Sequence, residues 1–194
     1  LRLSSAASDV YKRQVNKGSV KLNSKVKAEI DSARRQAIVC NHSATHLMHS
    51  ALRNTLGDHV QQKGSLVNEE KLRFDFSHKQ KLSENEIFKI EQEVNQAISS
   101  AEDTQIIETS LEESQKLGAI AFFGEKYGEQ VRVLKIAGNY STELCGGTHV
   151  KNSSEIKSFK IISETSISSG VRRIEAISGN LAIQDEADKK NDLI

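Results

Sequence analysis

The stretch Asn41-His-Ser-Ala-Thr-His46 carries two histidines four residues apart, and Cys145-Gly-Gly-Thr-His149 places a cysteine and another histidine four apart much later in the chain. On a helix, residues four apart share one face with Cβ atoms about 5–6 Å from each other, so His42 and His46 can direct ring nitrogens at one cation. The glycines between Cys145 and His149 supply conformations closed to other residues, which lets this loop turn back. Cysteine and histidine together favour zinc. The pattern therefore predicts one zinc site that brings two distant stretches together.

Two other side chains lie close enough in sequence to replace a ligand. His49 lies on the helical stripe of His46, but it would share a cation with a residue seven positions away. We expect Cys40 to precede the helix and to pack as a small buried apolar residue. A metalloprotease site is excluded, because that motif requires a glutamate directly after the first histidine, where this chain has Ser43.

Composition indicates a globular chain without a membrane span. With 194 residues, of which 37% are apolar, the sequence can form one large or two small domains with a buried core. No apolar run approaches the roughly 18 residues that a membrane helix requires, and no signal peptide opens the chain. Two cysteines leave no disulfide framework. We expect a cytoplasmic protein with no membrane and no DNA partner.

The net charge is only +1, but the charges are unevenly distributed. Residues 12–35 contain eight Lys or Arg against two acidic residues, whereas residues 83–130 contain eleven Asp or Glu against three Lys. Such asymmetry suits a protein with one face for an anionic ligand, and ordinary solvated charge on helices explains it equally well.

Hydrophobic periodicity predicts an α+β fold, with helices packed against a mainly antiparallel sheet and the zinc site in a cleft. The first predicted elements are a helical stretch that begins at 30–35, the helix that carries the histidines and runs to about 56, and a hairpin of strands 60–67 and 71–77. A helix opened by a capping box of Ser83 and Glu86 follows, then a strand over 105–109 and a short helix opened by a second capping box of Ser110 and Glu113. The remaining predicted elements are strands over 131–136, 158–163 and 171–177 and a final helix after Gly179.

Six stretches match a known family in the same order. They are Asn41-His-Ser-Ala-Thr-His-Leu-Met-His49, Gly64-Ser-Leu-Val67, Leu72-Arg-Phe-Asp-Phe-Ser-His78, Phe123-Gly-Glu-Lys-Tyr-Gly128, Glu143-Leu-Cys-Gly-Gly-Thr-His-Val150 and Val171-Arg-Arg-Ile-Glu-Ala176. From about Val15 to its end, the chain resembles the editing domain of bacterial alanyl-tRNA synthetase. A related domain occurs in threonyl-tRNA synthetase, and free-standing proteins similar to the alanyl domain also exist.

The resemblance implies a zinc-dependent hydrolase that removes serine or glycine wrongly attached to tRNA(Ala), with one Zn²⁺ per chain and the charged acceptor end as partner. It also implies that ATP serves only a ligase domain outside this chain. Thr45 and Gln62 match family positions implicated in the pocket. We expect Thr45 to discriminate the amino-acid side chain and Gln62 to orient the ester or water. Alternatively, Thr45 bonds back to its own helix and Gln62 is an exposed strand residue.

Four arginines are candidates for contacts with phosphates of the acceptor end: Arg53, Arg73, Arg172 and Arg173. Arg73 and Arg172 would fit equally well as solvated strand ends.

The chain divides by sequence into four parts. Residues 1–14 lack periodicity and are interpreted as non-native or disordered, and residues 15–40 as the remnant of an upstream β-rich segment with a lead-in helix. Residues 41–178 form the zinc-binding editing domain, and 179–194 a C-terminal helix that starts a linker. Two alternative functions stay open: a free-standing trans-editing deacylase, and a non-catalytic zinc module that binds RNA and hydrolyses nothing.

Overall fold

The computed structural model describes residues 17–25, 27, 29–121 and 127–191. The segment 1–14 and part of the upstream remnant therefore lie outside the described residues, as do residues 123–126 of one family stretch. The elements are α1 (Ser32–Leu56), β1 (Gln62–Val67), β2 (Leu72–Ser77), α2 (Glu84–Ser99), β3 (Gln105–Ser110), α3 (Leu111–Lys116), β4 (Gln130–Ile136), β5 (Ser141–Leu144), a 3₁₀ helix (Ser153–Ile156), β6 (Phe159–Ser168), β7 (Val171–Ser178) and α4 (Asn180–Asn191).

The described strands form two antiparallel sheets. The first has the order β1-β2-β7-β6, so β7 lies between the hairpin and β6, and Phe74 pairs with Ile174 across it. The second has the order β3-β4-β5, with β4 in the centre. The predicted α+β class with antiparallel strands and packed helices is confirmed, and the strands are divided between two sheets.

Helix α1 connects the two sheets. It begins because the Asp31 side chain accepts a hydrogen bond from the Arg34 N–H at 2.9 Å, and it ends at Gly57, whose φ of 113° departs from the helix. From residue 39 to residue 52 every side chain except His42 is buried, and α1 contacts strands of both sheets. The expectation that Cys40 precedes this helix is wrong, because the Asp31 cap starts the helix well before it.

The first predicted capping box is complete, and the second is only half formed. Ser83 accepts from the Glu86 N–H while the Glu86 carboxylate accepts from the Ser83 N–H, which opens α2 as expected. Ser110 accepts from the Glu113 N–H at 3.2 Å, but the Glu113 carboxylate accepts from Lys116 instead of closing the box. The cap of α3 therefore satisfies one backbone donor rather than two.

The main core lies between α1, α2 and the inner face of the first sheet, and it includes Leu134 and Ile136 of β4. Phe74 and Phe76 point into it from β2 and are almost completely buried. Burying a side chain of this size contributes roughly 1.5–3 kcal/mol relative to leaving it exposed. A smaller cluster of Val131, Val133 and Leu144 lies under the second sheet. No described helix has both the length and the apolar character needed to cross a membrane.

Candidate metal centre

The four predicted ligands meet at one point. His42 and His46 project from the same face of α1, and Cys145 and His149 come from the loop that follows β5. One potential donor atom from each side chain lies within 4.8 Å of the others. The Cys145 sulfur is 3.6 Å from His42 Nε2, and the ring centres of His42 and His149 are 4.3 Å apart.

The loop that carries Cys145 is fixed by the neighbouring strand. The Cys145 N–H donates to the Arg132 carbonyl at 3.0 Å, and the Arg132 guanidinium donates to the carbonyls of Cys145 and Gly147 at 3.2 and 2.6 Å. Ser43 of α1 accepts from the Val150 N–H at 3.0 Å, just after the loop. The roles of Arg132 and Ser43 leave no signal in the sequence, because both residues act on backbone groups that only the fold brings close.

Gly147 is needed for space rather than for an unusual backbone angle. A Cβ atom on this residue would lie 2.3 Å from His42 Cε1 and 2.9 Å from His42 Nδ1, closer than atoms can approach. Its φ lies outside the positive range. The reason expected from sequence, a conformation closed to other residues, is therefore wrong for Gly147, which instead lets His42 approach the loop backbone.

The electrostatics of the cluster favour the ligand form of Cys145. Burial alone would raise the pKa of its thiol, but the surrounding ring nitrogens of His149, His42 and His46 lower that pKa to about 3. Burial lowers the pKa of His149 to about 4. Near neutral pH the cluster therefore offers a thiolate and a neutral imidazole, which are the protonation states that bind metal.

A buried carboxylate lies directly behind the cluster. Glu143 of β5 is 1% exposed, and its two oxygens lie 2.5 Å from His46 Nδ1 and 2.7 Å from His49 Nδ1. Burial alone would raise the pKa of Glu143 and lower that of His46, but their contact has the opposite effect on each, lowering the carboxyl pKa and raising the imidazole pKa. Glu143 lies within one of the six family stretches, but its sequence neighbours indicate no role for it.

The donor set fits a zinc ion. One thiolate and three imidazoles within 4.8 Å match the number and kind of ligands in zinc sites. Both ring nitrogens of His149 are buried without a hydrogen-bond partner among the described residues, although buried polar atoms are normally satisfied. A cation bound by one of these nitrogens would supply the missing partner.

The two alternative ligands lie outside the cluster. The Cys40 thiol donates to the Glu155 carbonyl at 3.4 Å and accepts from Gln36, and burial raises its pKa. His49 contacts Glu143 through Nδ1 and packs beside Phe74, with ring centres 5.2 Å apart.

The two pocket candidates occupy different environments. Thr45 is 5% exposed, and its hydroxyl donates to the Asn41 carbonyl one helical turn earlier at 2.8 Å, which leaves its oxygen able to accept a further hydrogen bond. Gln62 is half-buried at the start of β1, where the register with β2 shifts between Gln62 and Gly64. Both side chains keep hydrogen-bonding capacity for a ligand.

Each of the four candidate arginines lies next to a carboxylate. Arg173 makes two hydrogen bonds to Asp75, at 2.7 and 2.9 Å, and Arg73 lies 3.9 Å from the same carboxylate. The partner of Arg172 is Glu164, and that of Arg53 is the exposed Asp58. Arg53 also lines a cleft of about 490 Å³ with two lysines, Lys116 and Lys135. A phosphate that contacts Arg73, Arg172 or Arg173 would therefore share that arginine with a carboxylate of the first sheet.

Comparison with known proteins shows which family the sequence of this chain matches. Residues 131–175 match the family described as the threonyl and alanyl tRNA synthetase second additional domain. The chain is 53% identical over 169 residues to the alanine–tRNA ligase of Alkaliphilus metalliredigens (strain QYMF), a match that covers 87% of this chain and 19% of that protein. This chain corresponds to one segment of the proteins of the alanine–tRNA ligase family.

Further alanine–tRNA ligases show the same extent of similarity. The protein of Xanthomonas axonopodis pv. citri (strain 306) is 50% identical over 181 residues, or 93% of this chain and 20% of that ligase. That of Stenotrophomonas maltophilia (strain K279a) is 52% identical over 169 residues, or 87% and 19%. The chain thus spans about a fifth of the length of these curated relatives. A match over 87% of 194 residues necessarily includes all four candidate ligands.

Proposed function

We propose that this chain is the editing part of an alanine–tRNA ligase and hydrolyses the ester that joins serine or glycine to tRNA(Ala). The observation that carries the proposal is the cluster of His42, His46, Cys145 and His149, in a segment similar to alanine–tRNA ligases. We further propose that the reaction takes place in the cytoplasm, and that attachment of alanine with ATP belongs to other parts of the longer relatives.

The physical need for such a site follows from the size of alanine. A synthetic pocket for alanine cannot strongly exclude smaller glycine or an analogue that only adds a hydroxyl, because such differences give about 10- to 200-fold discrimination. A second site with polar groups for the serine hydroxyl can be selective, because those groups stay unpaired when alanine enters.

In this proposal the zinc ion, when bound, supplies positive charge that draws the ester group and the tRNA terminus to the cluster. The chain's own residues supply the geometry. Arg132 keeps the Cys145 loop against β4, and Gly147 leaves room for His42. Hydrolysis of an ester also needs donors for the oxyanion and a positioned water.

Thr45 and Gln62 are the proposed selectivity residues. Thr45 lies on α1 between the two histidine ligands, and its oxygen can accept a hydrogen bond from a substrate hydroxyl while its own hydrogen bonds to Asn41. Gln62 can both donate and accept, which suits a role in orienting the ester or a water. Thr45→Val keeps the shape and removes the hydroxyl. We expect it to reduce the preference for the seryl ester over the alanyl ester.

The arginines Arg53, Arg73, Arg172 and Arg173 are the proposed phosphate contacts. A true phosphate contact makes tRNA binding weaken with salt, and its removal makes that dependence less steep, by a slope of about 1 per contact. Arg53→Gln is the sharpest test, because the partner of Arg53 is a fully accessible carboxylate rather than a buried one. An unchanged salt slope would exclude it as a phosphate contact.

The test of the proposed activity is hydrolysis of seryl-tRNA(Ala) and alanyl-tRNA(Ala) by the purified chain, with and without a zinc chelator. We expect loss of the seryl ester alone, and we expect chelation to stop it. A folded, zinc-loaded chain that hydrolyses neither ester would contradict the proposal.

A second candidate is a zinc-held module that binds RNA without hydrolysis. The complete set of four protein donors favours it, because closed four-ligand shells are typical of structural zinc sites, whereas catalytic sites keep one position open. This candidate predicts chelator-sensitive binding of tRNA with no difference in ester lifetime.

A further inference from the structure

We infer that Glu143 is a positioning residue that holds His46 in the tautomer able to bind the metal through Nε2, and that it holds His49 outside the ligand set. This inference rests on the proposed metal site. It assigns a role to two residues, Glu143 and His49, that bind neither metal nor substrate.

The hydrogen-bond geometry defines the tautomer. The two carboxylate oxygens of Glu143 lie 2.5 Å from His46 Nδ1 and 2.7 Å from His49 Nδ1, which is hydrogen-bond distance for both. A carboxylate only accepts, so each ring must donate a hydrogen from Nδ1. The nitrogen of His46 that can bind a cation is then Nε2.

The backbone places Glu143 of β5 and Cys145, the first residue after β5, on the same side. Side chains two residues apart in an extended chain point the same way, and the one between them points to the opposite face. Leu144 accordingly packs in the small cluster under the second sheet, whereas Cys145 packs against the main core. One short segment thus presents both a metal ligand and the carboxylate that orients another ligand.

The carboxylate is held firmly by the sheet. Glu143 pairs with Leu134 in the register of β4 and β5, and the Leu144 N–H donates to the Ile120 carbonyl at 3.0 Å on the other side. Its position is therefore set independently of α1. A fixed acceptor between His46 and His49 restricts the rotation of both rings, in the way that carboxylate partners orient metal-binding histidines.

His49 has a different role from the one that its helical position suggests. It lies one turn after His46, but its Nδ1 is directed to Glu143, and it is absent from the four-residue cluster. By donating to the second oxygen, it keeps that buried oxygen paired. Without this donor, one oxygen of a carboxylate that is 1% exposed would lose its hydrogen bond.

The test is Glu143→Leu, which keeps a side chain of similar size and removes both acceptors. Neither Nδ1 hydrogen then has its carboxylate partner, so the His46 ring can rotate or carry its hydrogen on Nε2, which prevents that nitrogen from binding zinc. We expect zinc affinity, measured by competition with a chelator, to fall about 10- to 100-fold. The matched control is Glu91→Leu, which removes a buried carboxylate that accepts from Lys160 and the Ile161 N–H, and it should leave zinc affinity unchanged.

A second measurement uses the unmodified chain. With ¹¹³Cd²⁺ in place of zinc and ¹⁵N-labelled histidine, we expect the metal–nitrogen coupling of His46 at Nε2 and a hydrogen retained on Nδ1. His49 should show no coupling. Coupling at His46 Nδ1, or wild-type zinc affinity in a folded Glu143→Leu chain, would overturn the role of Glu143 while leaving the metal site intact. A wild-type chain that binds neither ion would overturn the metal site itself.

Discussion

The short distance between Gly147 and His42 leads to a prediction about a single methyl group. In Gly147→Ala the new Cβ would lie 2.3 Å from His42 Cε1, so the ring or the loop must move. Overpacking of this kind costs about 1–3 kcal/mol, and we expect it to weaken zinc binding by about tenfold or more. Chelator competition measures the change. Gly128→Ala is the control, because its nearest atom beyond its chain neighbours is 3.9 Å away. Equal affinity in both variants would show that the loop moves freely.

The two cysteines provide a matched pair for the ligand assignment. Cys145→Ala should lose bound zinc and the proposed hydrolysis, because the cluster contains only one thiolate donor. Cys40→Ala should keep both and lose about 1 kcal/mol of stability, a usual cost for a core substitution. Metal content by mass spectrometry and hydrolysis of the seryl ester check the two variants. Full zinc content and activity in Cys145→Ala would contradict the four-ligand site.

The parts of the site that could be predicted from sequence are those whose residues lie close together along the chain. The pairs His42/His46 and Cys145/His149 could be found because each is a local pattern with a known ligand spacing. The contact of Glu143 with His46 joins residues 97 apart, and a glutamate between polar and apolar neighbours carries no local signal for it. Cys40 is buried in the core as predicted, but its predicted position before the helix was wrong, because the Asp31 cap, not the first histidine, sets the start of α1.

At the scale of elements, the capping box of α2 predicts a pH-dependent contribution to stability. Hydrogen bonds from the Ser83 backbone and hydroxyl lower the pKa of Glu86. A carboxyl group whose pKa is lower in the folded state stabilises the fold above its unfolded pKa of about 4.3, and the contribution is lost as the pH falls through the folded pKa. Ser83→Ala should therefore cost about 1 kcal/mol near neutral pH.

The Ser83→Ala loss should begin to shrink as the pH falls below the unfolded pKa of about 4.3, and it should shrink further as the pH falls through the lower folded pKa of Glu86. Urea unfolding of both chains at pH 7 and pH 3.5 measures it. Ser110→Ala is the control for pH, because its box is not closed by Glu113, so its cost should change less between the two pH values. A Ser83→Ala cost independent of pH would mean that the Glu86 side chain does not contribute through the cap.

The elements themselves were predicted where periodicity was strong. Both strands of the hairpin, α1 and α2 were found, because alternating and helical spacings extend over several residues. Strand β5, only Ser141–Leu144, was missed because four residues are too few for a pattern, and its place is set by pairing with β4. The far half of β6 was missed because its exposed polar residues follow β7 through irregular register rather than through burial.

At the scale of the whole molecule, the candidate metal centre adds a link between α1 and the loop after the second sheet, beside the apolar core that they already share. Two ligands come from α1, which packs on the first sheet, and two come from the loop after β5 of the second sheet. A ligand that binds only the folded state stabilises it by about 4 kcal/mol when present at 1,000 times its Kd. For a chain of this size, each kcal/mol raises Tm by about 2–4 °C, so zinc should raise Tm by roughly 8–16 °C.

Calorimetry of the zinc-loaded and chelator-treated chain measures that shift, and Cys145→Ala provides the comparison, because chelation should hardly change its Tm. The part of the chain that loses stability after chelation is a second readout. Amide hydrogen exchange should increase after chelation mainly in the Cys145 loop and in β5, since α1, the first sheet and the Leu134 and Ile136 side chains of β4 share the apolar core around Phe74 and Phe76. Uniform loss of protection across both sheets would show instead that the metal stabilises one cooperative unit, so that the proposed editing site and the main core fold together.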